Sequence, residues 1–429
     1  MVRRLEPVRW LRGTVSLPGD KSISHRMAML AAIAEGETFI AGYSESADCA
    51  ATLDCLRRLG VRCQRTATGV CITGVGKRGL RPASGTLDAA NSGTTIRLLS
   101  GVLAGQPFET HITGDASLRR RPMRRIIEPL RQMGATISAV DDNLAPLTIR
   151  GGNLQGITYE VTVPSAQVKS CLLLAGLFAS GQTTVIEPMP TRDHTERLLG
   201  AFGAPVASHG LAHTIVGSCQ LESPGPLSVP GDFSAAAFWL AAGLMVESAE
   251  LVIEGVGLNP TRTGLLTALH EAGCAIEVIN KRTVGGEPVG DLCVNALTPR
   301  PSKLLRLEGA LTANAIDEIP ILAVLGSYFH GLEVTDAGEL RVKESDRLAL
   351  VARNLRAMGV EVEERTDGLK VPGGQRFRGA SLETGGDHRI AMAFAIAALV
   401  AEGPTLLDDA ACVGISFPTF FTVLEQLQS

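Results

Sequence analysis

The sequence predicts an α/β (α+β) fold of two domains, each made of three βαβαββ units. Three observations predict it. A helix ending in a Leu-rich turn, followed by Gly and an alternating apolar strand, occurs five times, at residues 56–63, 130–137, 199–206, 269–276 and 355–362. The glycines of these copies, Gly60, Gly134, Gly203, Gly273 and Gly359, are 74, 69, 70 and 86 residues apart. One such match is common chance, whereas five at a near-constant interval mark a repeat. A second feature alternates with the first: a cluster of small, polar or Pro/Gly residues that opens an apolar helix, at residues 18–22, 91–97, 164–170, 230–236, 316–320 and 385–392. Finally, 429 residues exceed what one core normally holds, so two or three domains are expected.

Each unit reads in the same order. A strand leads into a capped helix, a second strand and a Gly-terminated helix, where Gly takes the left-handed cap, and two strands follow across a turn such as Thr68-Gly69. The stretch that organises the chain is the first cluster. Pro18 and Gly19 end the strand expected at 11–17, Asp20 or Ser22 caps a new helix, and the apolar run 27–34 buries it. Lys21, His25 and Arg26 sit in the first turns, where the helix already carries about half a positive charge. Such a turn is either a solvated, slightly unfavourable surface or an anion cradle. The repetition of the pattern favours the cradle.

The sixth unit starts at Gly385 and ends with a helix over 417–428, leaving no strands after it. The segment 11–17 is expected to supply one. That pairing makes the domains discontinuous: 21–230 for the N-terminal lobe, and 1–20 plus 231–429 for the C-terminal lobe. The linkers then fall near Pro18-Gly19 and at 224–231, and two crossings at one place make a hinge.

Composition narrows the function. A net charge of −4 argues against nucleic-acid binding by bulk electrostatics, and 4% aromatic residues leave few stacking platforms. Any anion site must be a local concentration of Arg and Lys. Nine cysteines without a C-x-x-C pattern read as buried cytosolic thiols rather than disulfides or zinc ligands. His209 and His213 fit one helix face, but Gly210 beside them favours a turn, and no metal site is expected. The first residues lack the apolar core of a signal peptide, and the longest apolar stretch, 390–401, is too short to span a bilayer. The expected location is the cytoplasm.

The helix-opening clusters carry most of the charge that could do chemistry. The first holds Lys21, Ser22 and Arg26; the second holds Asn91, Ser92, Gly93 and Thr94, with Arg97 beyond. Five Arg lie between 119 and 125, broken by Pro122, which reads as a loop presenting one or two of them to an acidic ligand. The third cluster supplies Ser165, Gln167 and Lys169, and Arg192 follows near the next helix start. The fifth has Asp317 and Glu318; downstream lie Lys343, Glu344 and Arg347; the sixth gives Asp387, His388 and Arg389. Taken singly, each is as well explained as a cap or a surface ion pair. Taken together they suit a small polyanion in a cleft closed by two domains. Asp317 and Glu344 are the acid–base candidates. The residues 74–78 lack the spacing of a P-loop, and no nucleophile elbow, zincin or dinucleotide fingerprint stands out.

These motifs, in this order and over essentially the whole chain, resemble the enolpyruvyl transferases, and within them the members that act on shikimate 3-phosphate. The segments that carry the resemblance are 18–26, 91–97, Arg121-Pro122, 165–167, 341–347 and 387–389. It implies the enolpyruvyl transferase fold, an inside-out α/β barrel with helix N-termini facing an interdomain cleft. It also implies that shikimate 3-phosphate and phosphoenolpyruvate are joined with release of phosphate, by addition and elimination through a tetrahedral intermediate, without metal or organic cofactor. On matching positions, Lys21, Ser22, Arg26, Ser165, Ala166, Gln167, Arg192, Asp317 and Lys343 should hold shikimate 3-phosphate. Lys21, Asn91, Gly93, Arg121, Gln167, Arg347 and Arg389 should hold phosphoenolpyruvate. Asp317 should accept the hydroxyl proton, while Glu344, helped by Lys21 or Lys343, delivers a proton to carbon. A monomer is the family-based expectation.

Two departures stand out. Many members have a Lys shortly before the final Phe-Pro, where this chain has Cys412 to Ser416 ahead of Phe417, so one phosphate contact is missing or comes from elsewhere, with Lys343 a candidate. Ala166 replaces a second Ser found in part of the family. Both features are similar to a subgroup that includes glyphosate-tolerant bacterial enzymes, yet Gly93 is retained where an Ala methyl would crowd the inhibitor. Glyphosate is therefore expected to compete with phosphoenolpyruvate. The alternatives are the sister activity on UDP-N-acetylglucosamine and a non-catalytic anion-binding scaffold. The sister enzyme carries a reactive Cys ahead of the Arg-Pro and an Asn after the first-helix Lys. This chain has no Cys between 72 and 170, and Ser22 follows Lys21.

Overall fold

The computed structural model describes residues 1–429 and divides into two compact units. One, here the Lys21 unit, comprises Gly19–Val229 with Val284–Glu287; the other, the Asp317 unit, comprises Met1–Pro18, Pro230–Thr283 and Pro288–Ser429. The four residues Val284–Glu287 close a hairpin whose strands, Glu277–Val284 and Glu287–Val294, spring from the Asp317 unit. Nothing in the sequence pattern separates that tip from the lobe around it.

The Lys21 unit has six helices: α1 (Lys21–Ile33), α2 (Ala47–Arg58), α3 (Gly93–Ala104), α4 (Arg124–Gln132), α5 (Ala166–Gly176) and α6 (His194–Ala201). The Asp317 unit has seven: α7 (Phe233–Met245), α8 (Gly264–Glu271), α9 (Gly309–Asn314), α10 (Ile319–Tyr328), α11 (Arg347–Ala357), α12 (His388–Ala398) and α13 (Phe420–Gln426). Each unit contains three sheets; five of the six are four-stranded and one is three-stranded. In the second repeat, Leu87–Asp88 runs parallel to Glu109–Thr113, which pairs antiparallel with Leu144–Arg150, which pairs in turn with Thr136–Val140. A helix joins the parallel pair, as a crossover connection must. The same order recurs in the other four-stranded sheets, and the three-stranded sheet keeps its first three strands.

The closing strands differ from expectation. The strand Trp10–Ser16 does not serve the sixth unit; it lies parallel to Ser248–Gly257 over seven residue pairs and opens the fourth. Its alternation explains the choice, since Leu11 and Val15 are both fully buried there. The sixth unit is completed instead by Arg3–Leu5, antiparallel to Thr405–Leu407. The first unit borrows Leu227–Ser228, parallel to Glu37–Ala41. Strands of two or three residues give almost no periodic signal, so neither was legible.

Local chemistry accounts for the helix ends. Asp20, Ser92, Ser165, Asp232 and Asp387 each accept a backbone N–H at the start of α1, α3, α5, α7 and α12. Glu318 precedes α10 without a side-chain cap, and Pro320 fills the early turn where a missing N–H costs nothing. All five repeat glycines have φ between 81° and 107°, the left-handed region that lets the chain leave the helix. The helix expected at 417–428 begins at Phe420, after a 3-10 turn over Ala411–Ile415 and Pro418. His209 and His213 sit on paired strands rather than a helix.

In each unit the helices behind the caps form the core. Every residue of α1 from Ile23 to Ile33 is buried, as is nearly all of α3 and α5. Burying each Leu, Ile or Met of such a helix stabilises by about 1.5–3 kcal/mol. Gly101 of α3 stands so near α5 that a Cβ on it would lie 2.2 Å from the carbonyl oxygen of Cys171. That approach brings the starts of α3 and α5 side by side. In the Asp317 unit Trp239 of α7 is fully buried, with its ring centroid 5.0 Å from that of Phe420. No helix is long and apolar enough to cross a membrane.

Candidate functional site

The starts of α1, α2, α3 and α5 assemble the first group of polar residues. The Lys21 ammonium lies 2.9 Å from a carboxylate oxygen of Asp48, in the first turn of α2. A cation at the wrong end of a helix is thus offset by a nearly buried acid of the chain itself. Sequence reasoning missed Asp48, because an acid in a first helical turn is ordinarily read as a dipole partner. One turn along α1, His25 Nδ1 meets Thr52 Oγ1 at 2.6 Å. Thr52 in turn meets Thr95 Oγ1 at 2.7 Å, which bonds the Ser92 hydroxyl at 2.8 Å. Burial, and then the charges of Lys21 and Arg26, hold His25 well below the usual histidine value, so the chain from α1 to the cap of α3 runs through a neutral imidazole.

Arg26 is 3% exposed, and its guanidinium is held by neutral groups. Nε donates to Thr195 Oγ1 at 2.7 Å, Nη2 to Ser170 Oγ at 2.8 Å and Nη1 to the Ser22 carbonyl at 2.9 Å. Burial and the neighbouring charge of Arg192 pull its pKa down to about 10. The carboxylates of Glu196, Asp20 and Glu287 act the other way, so Arg26 stays a buried cation whose direct partners are hydroxyls and a backbone carbonyl. Ser165 caps α5, Ala166 is its first residue and Gln167 follows.

Gln167 is itself placed by α3. Its Oε1 accepts from Arg97 Nη1 at 2.6 Å, and its Nε2 donates to Thr94 Oγ1 at 3.0 Å. Arg97 also donates to the Pro122 carbonyl at 3.2 Å, so it ties the Arg-Pro turn to the same place. Arg121 donates to Asn91 Oδ1 at 2.7 Å, and the Asn91 amide donates to Asp115 at 2.7 Å. A Cβ on Gly93 would stand 2.9 Å from Arg97 Nη1 and 3.4 Å from Arg121 Nη1. Gly93, Asn91, Arg121 and Gln167 therefore form one group around Arg97.

In the Asp317 unit the residues gather about two arginines. Asp317 lies 3.2 Å from Arg347, 3.7 Å from Arg389 and 4.0 Å from Lys343. Arg347, 1% exposed, also pairs with Asp387 at 2.8 Å and Glu344 at 2.6 Å. Burial works against its charge, but the carboxylates of Asp387, Glu344 and Asp317 hold it above the ordinary arginine value. Asp387 caps α12 and accepts from Ser345 at 2.9 Å, which joins the starts of α11 and α12. Behind Asp317, Glu318 accepts from Ser234 and lies 3.8 Å from both Arg262 and Arg389. Burial pulls the Lys343 ammonium below its usual value, with Asp317 opposing. Near the C-terminus Cys412 is buried, and that burial pushes its thiol up to about 12.

Comparison with known proteins gives a single answer. Residues 5–424 match a family described as EPSP synthase (3-phosphoshikimate 1-carboxyvinyltransferase). A 3-phosphoshikimate 1-carboxyvinyltransferase of Solibacter usitatus is 50% identical over 428 residues, covering 100% of both chains. One of Synechococcus sp. is 51% identical, covering 99% of this chain and 96% of that one. Among solved structures, an EPSP synthase from Acinetobacter baumannii superimposes with a TM-score of 0.86 at 40% identity, over 99% of this chain and 98% of that one. The enolpyruvyl transferase NikO from Streptomyces tendae shares the fold at a TM-score of 0.79 and 18% identity, over 99% of this chain and 97% of that one.

Proposed function

The chain belongs to the EPSP synthase family, and from that premise we propose that the polar groups of its two units carry the reaction on shikimate 3-phosphate and phosphoenolpyruvate in the roles below. The enzyme transfers the enolpyruvyl group of phosphoenolpyruvate to shikimate 3-phosphate and releases phosphate. The buried Arg26 beside Arg192 carries the reading of the Lys21 unit. A phosphate dianion accepts charge-assisted hydrogen bonds from cations of this kind. Ser22, Ser165, Ala166 and Gln167 complete the phosphosugar subsite, and Asp317 and Lys343 act on the sugar hydroxyl.

Phosphoenolpyruvate takes Lys21, Asn91, Gly93, Arg121, Gln167, Arg347 and Arg389. Asp317 accepts the proton of the attacking 5-hydroxyl as its oxygen bonds to C2 of phosphoenolpyruvate. Glu344, helped by Lys21 or Lys343, protonates the methylene carbon in the same addition. The tetrahedral adduct then eliminates: the C–O bond to phosphate breaks, the methyl carbon returns its proton, and the double bond reforms. No group changes oxidation state, so positioned charge supplies most of the rate. Glyphosate, an anion of similar size, competes at the phosphoenolpyruvate groups. We place the reaction in the cytoplasm, in a monomer.

A phosphate-release assay with phosphoenolpyruvate and each acceptor in turn tests this. Release with shikimate 3-phosphate and none with UDP-N-acetylglucosamine is the expected result. Release only with the nucleotide sugar, or with neither, overturns it.

A further inference from the structure

Away from the groups assigned above, the Lys21 unit buries a second charged cluster. Lys169 of α5 is 1% exposed, and its ammonium lies 2.7 Å from Glu187 Oε2 and 2.6 Å from Glu196 Oε1. Glu187 follows the strand Gln182–Ile186, and Glu196 is in the first turn of α6. Their carboxylates are 2% and 9% exposed. His213, on the strand Ala212–Val216, places Nε2 at 3.1 Å from Glu187 and Nδ1 at 3.7 Å from Glu196, and meets Ser208 Oγ at 2.9 Å. Thr191 donates its hydroxyl to the other oxygen of Glu187.

The two acids sit at the two ends of one short loop. Between Glu187 and Glu196 the chain runs through Thr191, Arg192, Asp193 and Thr195. Both ends of the loop are pinned to one ammonium, and Thr191 is tied back inside it. We propose that Lys169, Glu187 and Glu196 act as a clasp that fixes the Arg192 loop for the phosphate of shikimate 3-phosphate. They are positioning residues rather than catalytic ones, since the clasp acts through Arg192 and through Thr195, which holds Arg26.

The chemistry favours this over simple stability. A buried ion pair gains little over an apolar replacement, but it fixes geometry because each partner demands the other at hydrogen-bond range. Lys169 is also only two residues from Gln167 and four from Ser165, so the same helical turn carries the clasp and the phosphosugar groups. A loop held in its binding shape before the ligand arrives saves the cost of ordering it on binding.

This inference rests on the function proposed above, and the test separates the two. Binding of shikimate 3-phosphate alone is measured by calorimetry for the wild type, Lys169→Met and Glu196→Gln, alongside thermal melts and the KM for phosphoenolpyruvate. The expected result is a Kd for shikimate 3-phosphate raised roughly tenfold or more in folded variants, with the phosphoenolpyruvate KM unchanged. Glu196→Gln keeps its shape and removes a charge, so it decides the matter where Lys169→Met fails to fold. Wild-type affinity in a folded Glu196→Gln overturns the clasp and leaves the function standing. Equal losses for both substrates also overturn it, since a general distortion has no preference for the phosphosugar. A wild type that does not bind shikimate 3-phosphate overturns both.

Discussion

Arg97 donates to Gln167 at 2.6 Å, and the same guanidinium borders the space that a Cβ on Gly93 would enter, 2.9 Å away. A methyl at 93 therefore pushes first on the arginine that orients Gln167, and only through it on a ligand. Gly93→Ala should raise the KM for phosphoenolpyruvate by roughly tenfold, because a displacement of a few tenths of an ångström at a positioning residue is felt at the substrate. The KM for shikimate 3-phosphate should change much less. On the proposed assignment of groups, glyphosate inhibition should weaken in parallel. Steady-state kinetics with each substrate varied in turn, with and without glyphosate, check this; unchanged inhibition in the variant would count against the assigned groups.

The Lys21–Asp48 pair makes a second prediction. The side chains are 14% and 6% exposed, so removing one partner costs the other more than it would at a surface bridge. Lys21→Met should lower kcat by roughly 10²–10⁴-fold, the range for losing a positioned proton donor or charge. Asp48→Asn leaves the ammonium in place but loosens it. It should cost less in kcat than Lys21→Met and raise both KM values. A loss in Asp48→Asn as large as in Lys21→Met would mean that the acid, not the ammonium, meets the substrates.

Much of this was legible in the sequence, for identifiable reasons. The caps at Asp20, Ser92, Ser165, Asp232 and Asp387 and the five left-handed glycines are local signals, fixed by a residue's own chemistry and its neighbours within a turn. The closing strands Arg3–Leu5 and Leu227–Ser228 were not legible, because pairing partners hundreds of residues away leave no trace in strands so short. The same limit hid Asp48, Ser170 and Thr195. Each reads as an ordinary helix residue until the fold sets it against Lys21 or Arg26.

Asp317 and Asp387 both touch Arg347, but they should fail differently. Asp387 is fully buried, caps α12 and bonds Arg347 and Ser345. Removing it leaves a buried guanidinium short of a partner, which costs about 3–5 kcal/mol. Asp387→Ala should therefore shift the urea midpoint markedly. Asp317 is also buried and is met by three cations, but Asp317→Asn keeps its shape and one acceptor, so it should shift the midpoint less than Asp387→Ala. The kcat of Asp317→Asn should fall roughly 10²–10⁴-fold, as for a lost general base. A large midpoint shift in Asp317→Asn with kcat preserved would reassign it to structure.

His25 predicts how stability responds to acid. Burial, then Lys21 and Arg26, keep it neutral in the folded chain well below the pH at which the unfolded chain protonates it, near 6.5. Its folded pKa is the lower one, so below 6.5 the unfolded state binds the extra proton. The stability it contributes is whole above that pH and is lost as pH falls towards the folded value. The loss approaches about 1.4 kcal/mol per pH unit from this one group. His25→Gln keeps a partner for Thr52 without a titrating ring. Melting curves between pH 7.5 and 5 should therefore fall less steeply for the variant than for the wild type. Parallel curves would show that the imidazole is protonated in the folded state, and the neutral chain from α1 to Ser92 would have to be redrawn.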